Sequence, residues 1–317
     1  MASLKSRPEA GYLFSVLAGF LVVMAIVAIF DNTLGSSVAP KISKSISFNQ
    51  KAAWLKHIKT CDVLIIGSSI GMNNIDGVAI QEHFPRRSIV NAASWGLSVE
   101  ESGRILDILG SRCMPKVVIF PLYFGDFTSE EGDKAINWNW FAKYLGSGRT
   151  ILESLGNFDL FYFAETYFTL QSAPYSNNRY YNSLKFDRTG SVMLSSHAFL
   201  VDSRRWNAYQ SRSTEQLRAA QFEALARIVE TARKSGIKLI LLETPFTKAA
   251  NQYFAESGDD LGFDRIAGIA DKGDTEIIDS RRYNFEDALF TDYCHLNENG
   301  ALALTQLTYA SIQASLD

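Results

Sequence analysis

The sequence predicts an α/β fold carried behind a membrane anchor. Short apolar runs suited to buried strands recur along the chain, amphipathic stretches stand between them, and a long uncharged segment precedes them all. Of 317 residues, 47% are hydrophobic and 21% charged, and the net charge is −3. That apolar content supports a buried core and excludes disorder. The weakly acidic balance leaves no basic field for a nucleic-acid backbone, so no nucleic-acid partner is expected.

The first element runs from Tyr12 to Phe30, nineteen residues without a charge. As a helix it rises roughly 28 Å, close to the hydrocarbon thickness of a bilayer. A buried core helix of this length would show a polar face. A cleavable signal peptide is the other alternative, but Pro40 directly follows the small-residue site Ser37-Val38-Ala39. A retained transmembrane anchor over 12–30 is therefore expected. Lys5 and Arg7 precede it and Asp31 follows, which places 1–11 in the cytoplasm and the rest outside, periplasmic or extracellular. Residues 31–60 read as a stalk with a short connecting helix, and 61–317 as one extracytoplasmic domain.

Strands are expected around Val63–Ile66, Ser88–Val90, Val117–Phe120, Lys238–Leu242 and Glu276–Ile278, with helical patterns over 99–111, 213–235 and 298–315. The alternation predicts a parallel sheet covered by helices on both faces, with ligands at the carboxyl ends of its strands. From about 126 to 212 it breaks off into an aromatic-rich insertion that includes Trp138, Trp140, Phe141 and Tyr144. Two readings stand: a helical subdomain packing its own core, or an aromatic lining for a sugar or lipid-like ligand. Trp138 and Trp140, with Trp95 beside the second strand, are the candidate substrate-contacting rings.

Gly67-Ser68-Ser69-Ile70-Gly71 follows the first strand and enters a helix, so Ser69 stands where free backbone N–H groups favour negative charge. A turn with an ordinary helix cap fits the same residues. Near the C-terminus, Asp292 precedes His295 by three residues, a spacing that lets the carboxylate hold one ring nitrogen while the other takes a proton from a serine. Gly96, in the loop after the second strand, can bring its N–H close to a bound carbonyl. No second histidine or acidic cluster at ligand spacing accompanies His295, so no metal is expected. Neither Gly-x-Gly-x-x-Gly nor the Walker spacing is present, so no cofactor is expected either. Cys294 reads as a small packing residue. His57, His83 and His197 read as surface or satisfied histidines. Asp126 reads as a cap after the third strand or as a site residue, and Glu243-Thr244-Pro245-Phe246 as a turn or pocket rim.

Together, the glycine-serine turn after strand one, the Asn-x-x-x-x-Gly loop from Asn91 to Gly96 and the terminal Asp292-x-x-His295-Leu296 resemble the SGNH, or GDSL-like, hydrolase family. The resemblance implies a flavodoxin-like three-layer α/β/α sheet and a Ser69-His295-Asp292 triad. It also implies an oxyanion hole made by the N–H groups of Ser69 and Gly96 and a third-block asparagine. That asparagine is absent: the third block reads Pro121-Leu122-Tyr123-Phe124-Gly125-Asp126. Asn91 and Tyr123 are the candidate substitutes. Gly-Ser-Ser in place of Gly-Asp-Ser, the missing asparagine and the anchor resemble the cell-envelope branch of DltD- and AlgX-like acyl-transfer proteins. The implied function is a serine esterase or O-acyltransferase that removes or adds an acyl group, O-acetyl foremost, on an envelope polysaccharide or exopolysaccharide. Its partners would be the polymer, the membrane and an acyl donor supplied by a membrane acyltransferase. The alternative is an inactive relative that binds polymer or scaffolds an assembly complex. In a flavodoxin-like strand order Cys61 and Cys113 precede neighbouring strands, and a disulfide between them is expected.

Overall fold

The computed structural model describes residues 8–29, 40–128, 135–146, 184–195, 216–257, 262–271 and 275–316, with isolated positions between 157 and 210. Five strands form the sheet: β1 (Val63–Ile65), β2 (Ile89–Asn91), β3 (Val117–Leu122), β4 (Lys238–Glu243) and β5 (Thr275–Asp279). They are all parallel, in the order β2-β1-β3-β4-β5. This order is the flavodoxin-like one, and it reverses direction between β1 and β3, where such sheets open a crevice at their carboxyl ends.

The described helices are α1 (Pro8–Ile29), α2 (Ile46–Leu55), α3 (Ser69–Asn73), α4 (Gly77–His83), α5 (Val99–Cys113), α6 (Trp138–Leu145), α7 (Ala219–Lys234), α8 (Lys248–Ser257), α9 (Phe263–Ala270), α10 (Glu298–Gln306) and α11 (Tyr309–Leu316). Strand alternation sorts the core into two halves. Val118, Phe120 and Leu122 of β3 face α2, α5, α6, α7 and α9, while Val117 and Ile119 face α4, α10 and α11. Every β3 residue is buried, as a strand covered on both faces requires. Helix α5 is set by a capping box, Ser98 Oγ accepting from Glu101 N while Glu101 Oε2 accepts from Ser98 N. The helical pattern over 298–315 forms two helices instead of one. Thr305 and Thr308 turn their hydroxyls back onto the carbonyls of Ala301 and Thr305, which bends the chain between α10 and α11.

The stalk reading is corrected in part. Residues 31–39 lie outside the described residues, but from Ile42 onward the chain belongs to the domain. Phe48, Ala52 and Leu55 recur at helical spacing and seat α2 in the larger core half, Phe48 against the rings of Trp138 and Phe141. Lys51, on the same helix, is fully buried. Its ammonium donates to Asn91 O at 2.9 Å and to Gly190 O, and it lies 4.3 Å from the Phe186 ring centre. Burial lowers its pKa to about 7, against the pull of Asp187.

The insertion, too, is less separate than its composition implies. Helix α6 packs in the main core, and residues 184–195 are stitched to the domain. Asn91 N donates to Thr189 O at 2.7 Å, Val192 N to Met72 O at 3.0 Å and Glu298 N to Leu194 O at 2.8 Å. Most of the remainder lies outside the described residues. Cys61 and Cys113 form the expected disulfide, their Cα atoms 5.3 Å apart. At the other end of the chain, α1 forms where the apolar segment stands. Among the described residues no helix is long and apolar enough to cross a membrane.

Candidate active site

Ser69 is the first residue of α3, directly after the turn that leaves β1 at the switch point of the sheet. The helix is capped by Ser68, whose Oγ accepts from Ile70 N and donates to Asp126 Oδ2 at 3.0 Å. Asp126 is buried in the short 3-10 turn Phe124–Phe127 beyond β3. Through Ser68 it anchors the turn that presents Ser69. As the leading N–H of α3, that of Ser69 has no acceptor within the helix.

Gly71 lets α3 lie close on the sheet. A Cβ there would meet Ala93 Cβ at 2.8 Å and Ile66 O at 2.9 Å. The β2 loop is tied to the same place, Ser94 N donating to Gly67 O at 3.1 Å and Ser94 Oγ sharing a hydrogen bond with Ser47 Oγ at 2.8 Å. Gly96 stands exposed on that loop with φ +66°, a conformation that favours glycine.

The histidine arrives on the tight loop between β5 and α10. Thr291 N and Oγ1 both donate to His295 O, at 2.8 and 3.2 Å, closing a turn around Asp292. Asp292 Oδ1 accepts from the backbone N–H of Cys294 at 2.9 Å and of His295 at 2.7 Å, while Oδ2 lies 2.8 Å from His295 Nδ1. A carboxylate at Nδ1 keeps the proton on that nitrogen and leaves Nε2 as an acceptor. Nε2 stands 2.8 Å from Ser69 Oγ. The residues that sequence spacing selects thus meet in one hydrogen-bonded relay across 226 positions of chain.

Burial is graded along the relay. The Asp292 side chain is 8% exposed and that of His295 15%, while Ser69 is half-buried. Burial alone would raise the Asp292 pKa, but the imidazole of His295 and the two backbone N–H donors outweigh it and hold the carboxyl at about 2. Cys294 is the reverse case. Burial, reinforced by Asp292, pushes its thiol well above the ordinary value, so it is an inert packing group. Asp292, Cys294 and His295 do place three ligand-type atoms within 4.8 Å of one another. With Nδ1 engaged by the carboxylate and the thiol held protonated, the donor set does not fit a metal.

The other candidates take different places. Asn91 is fully buried and its amide is consumed: Nδ2 donates to Gly71 O and Ser191 Oγ, and Oδ1 accepts from Ala93 N. It holds α3 and the 184–195 segment and has no donor left for an oxyanion. Tyr123 shares a hydrogen bond with the Tyr293 hydroxyl and packs on Phe246. Trp140 is buried in the main core beside Tyr144, and Trp138 packs edge-on against Phe48 of α2, so both serve the core. Trp95 is partly buried, its backbone N–H donating to Ser47 Oγ at 3.2 Å. Residues 243–246 are buried at the carboxyl end of β4, and the next residue, Thr247, ties them to the histidine loop by donating its N–H to Tyr293 O. His57 and His83 are exposed, His83 stacked on Tyr309, and His197 lies outside the described residues.

Sequence reasoning passes over Asn74, which bonds the histidine loop twice. No family model matches the chain, and no curated protein matches it.

Proposed function

We propose that this protein is a membrane-anchored extracytoplasmic serine esterase or O-acyltransferase of the SGNH type, acting on acyl groups, O-acetyl foremost, of an envelope polysaccharide or exopolysaccharide. The observation that carries the reading is the Asp292-His295-Ser69 relay, with both links at 2.8 Å and its serine only partly buried. In it, His295 Nε2 takes the Ser69 proton as Oγ attacks the ester carbonyl, and Asp292 steadies the imidazolium that forms. The helix-leading N–H of Ser69 and that of Gly96 receive the oxyanion. His295 then returns the proton to the departing alcohol, and water or a sugar hydroxyl takes the acyl group from the serine. An inactive scaffold would have no need of an assembled relay, which weighs against that alternative.

The acceptor class rests on the resemblance to the cell-envelope branch that the Gly-Ser-Ser turn, the missing third-block asparagine and the apolar N-terminal segment carry. The anchor is supported by α1. Tyr12, Leu13, Phe14, Val16, Leu17, Phe20, Leu21 and Val22 are all more than half exposed, an apolar surface on every side of the helix that needs lipid or protein around it. The disulfide supports an oxidising compartment.

The test is turnover of O-acetylated polysaccharide and small acetyl esters by the full-length protein in detergent, beside Ser69→Ala and His295→Ala. Acetate release or transfer lost in both variants is expected. Equal background release by all three would refute the reading.

A further inference from the structure

Asn74 closes α3, five residues after the nucleophile, and is fully buried. Its Nδ2 donates to Cys294 O at 2.8 Å and its Oδ1 accepts from Leu296 N at 2.9 Å. Those two groups belong to the peptide planes on either side of His295. One amide therefore bridges the backbone immediately before and after the base, as a neighbouring strand would. The remaining backbone groups of His295 are held from within its own loop, the N–H by Asp292 Oδ1 and the C=O by Thr291. Asn74 links that backbone to the helix that carries Ser69. The chemistry of the site demands an amide: a carbonyl must be given a donor and an N–H an acceptor, and only a group with both, at fixed separation, satisfies them. A carboxylate would set an oxygen against the Cys294 carbonyl.

We propose that Asn74 is a positioning residue that fixes the register between nucleophile and base by clamping the main chain on both sides of His295. It acts on the geometry of the relay and not on substrate, and the inference rests on the acyl-transfer reading above for its kinetic consequence. Proton transfer from Ser69 requires Nε2 at hydrogen-bond distance, and misplacement by about 1 Å costs on the order of 100-fold in rate. Losing the clamp should therefore appear in kcat and leave KM nearly unchanged, since nothing that binds substrate is removed.

The experiment compares full-length wild type, Asn74→Ala, which loses both bonds, and Asn74→Asp, which keeps the acceptor and loses the donor. Acetyl-ester kinetics are read as kcat and KM across pH. In parallel, proton NMR of histidine-labelled protein reads the downfield His295 Nδ1–H resonance, assigned by its loss in His295→Gln, and the folded fraction is taken from circular dichroism. Expected are a kcat lowered roughly 10- to 100-fold in Asn74→Ala with KM within about threefold. The Nδ1–H resonance shifts or broadens in both variants while the fold is retained. Unchanged kcat and an unchanged resonance in both, or losses that only follow the folded fraction, would overturn the proposal. The resonance is independent of turnover: an inactive wild type whose His295 signal still responds to Asn74 refutes the acyl-transfer reading and leaves the clamp standing. An active wild type indifferent to Asn74 does the opposite.

Discussion

Asp292 performs two tasks with two oxygens. One closes its own loop by accepting the N–H groups of Cys294 and His295, and the other orients the imidazole. Asp292→Asn would present the wrong partner to Nδ1, and a drop of about 1,000- to 10,000-fold in kcat is expected, measured on acetyl esters. The same bonds set an acid limit to stability. The folded-state pKa of Asp292 is depressed from 3.8 to about 2. The folded protein therefore binds fewer protons than the unfolded chain between those values. The contribution is fully present above about pH 4 and is lost as pH falls through about 2. Urea titrations from pH 5 downward should show the wild type losing stability more steeply than Asp292→Asn over this window; parallel slopes would mean the carboxylate is not held as described. Asp292, His295 and Ser69 were legible in the sequence because their chemistry is local, a carboxylate three residues before an imidazole and a serine at a strand-to-helix turn. Asn74 was not, because its value lies in contacts across 220 and 222 positions that no local spacing encodes.

Helix α3 is seated by the absence of a side chain. Replacing Gly71 by alanine drives a Cβ into Ala93 and the Ile66 carbonyl. Gly71→Ala should cost about 1–3 kcal/mol in a denaturant titration, and Ser69 reactivity should fall with it as α3 lifts from the sheet. The disulfide acts on another pair of elements, tying the chain ahead of β1 to the end of α5 over a separation of 52 residues. Closing a loop of that length is worth about 4 kcal/mol in the chain-entropy account. Cys61→Ala with Cys113→Ala should lower stability by about that amount, and the denatured, unreduced wild type should hold one titratable thiol, Cys294. The strands were readable as apolar runs and α5 as a capped amphipathic pattern. What misled was α2: the Gly, Ser, Pro and Lys residues ahead of it and its own buried lysine disguise it as a solvated linker. Lys51 is tolerated in the core because two backbone carbonyls and an aromatic face take up its charge. The aromatics of the insertion misled in a similar way. Tryptophans suit ligand sites and cores alike, and composition does not say which face of α6 meets α2.

For the whole molecule, the folded domain takes in the chain from Ile42 onward and does not begin near residue 60. Deleting residues 1–39 should release a folded protein that partitions to the aqueous phase on detergent phase separation. Deleting 1–60 removes Phe48, Ala52 and Leu55 from the core. Each such loss costs about 2–5 kcal/mol, so that fragment should fail to fold. Equal solubility and equal thermal midpoints of the two fragments would contradict the placement of α2. The central claim is that Ser69 is activated by His295 at the switch point of the sheet. Its most direct test is mass spectrometry of the full-length protein after treatment with a fluorophosphonate. A single adduct on Ser69, absent in His295→Ala, is the predicted result. A folded wild type that carries no adduct, or carries it equally with and without His295, would contradict the account.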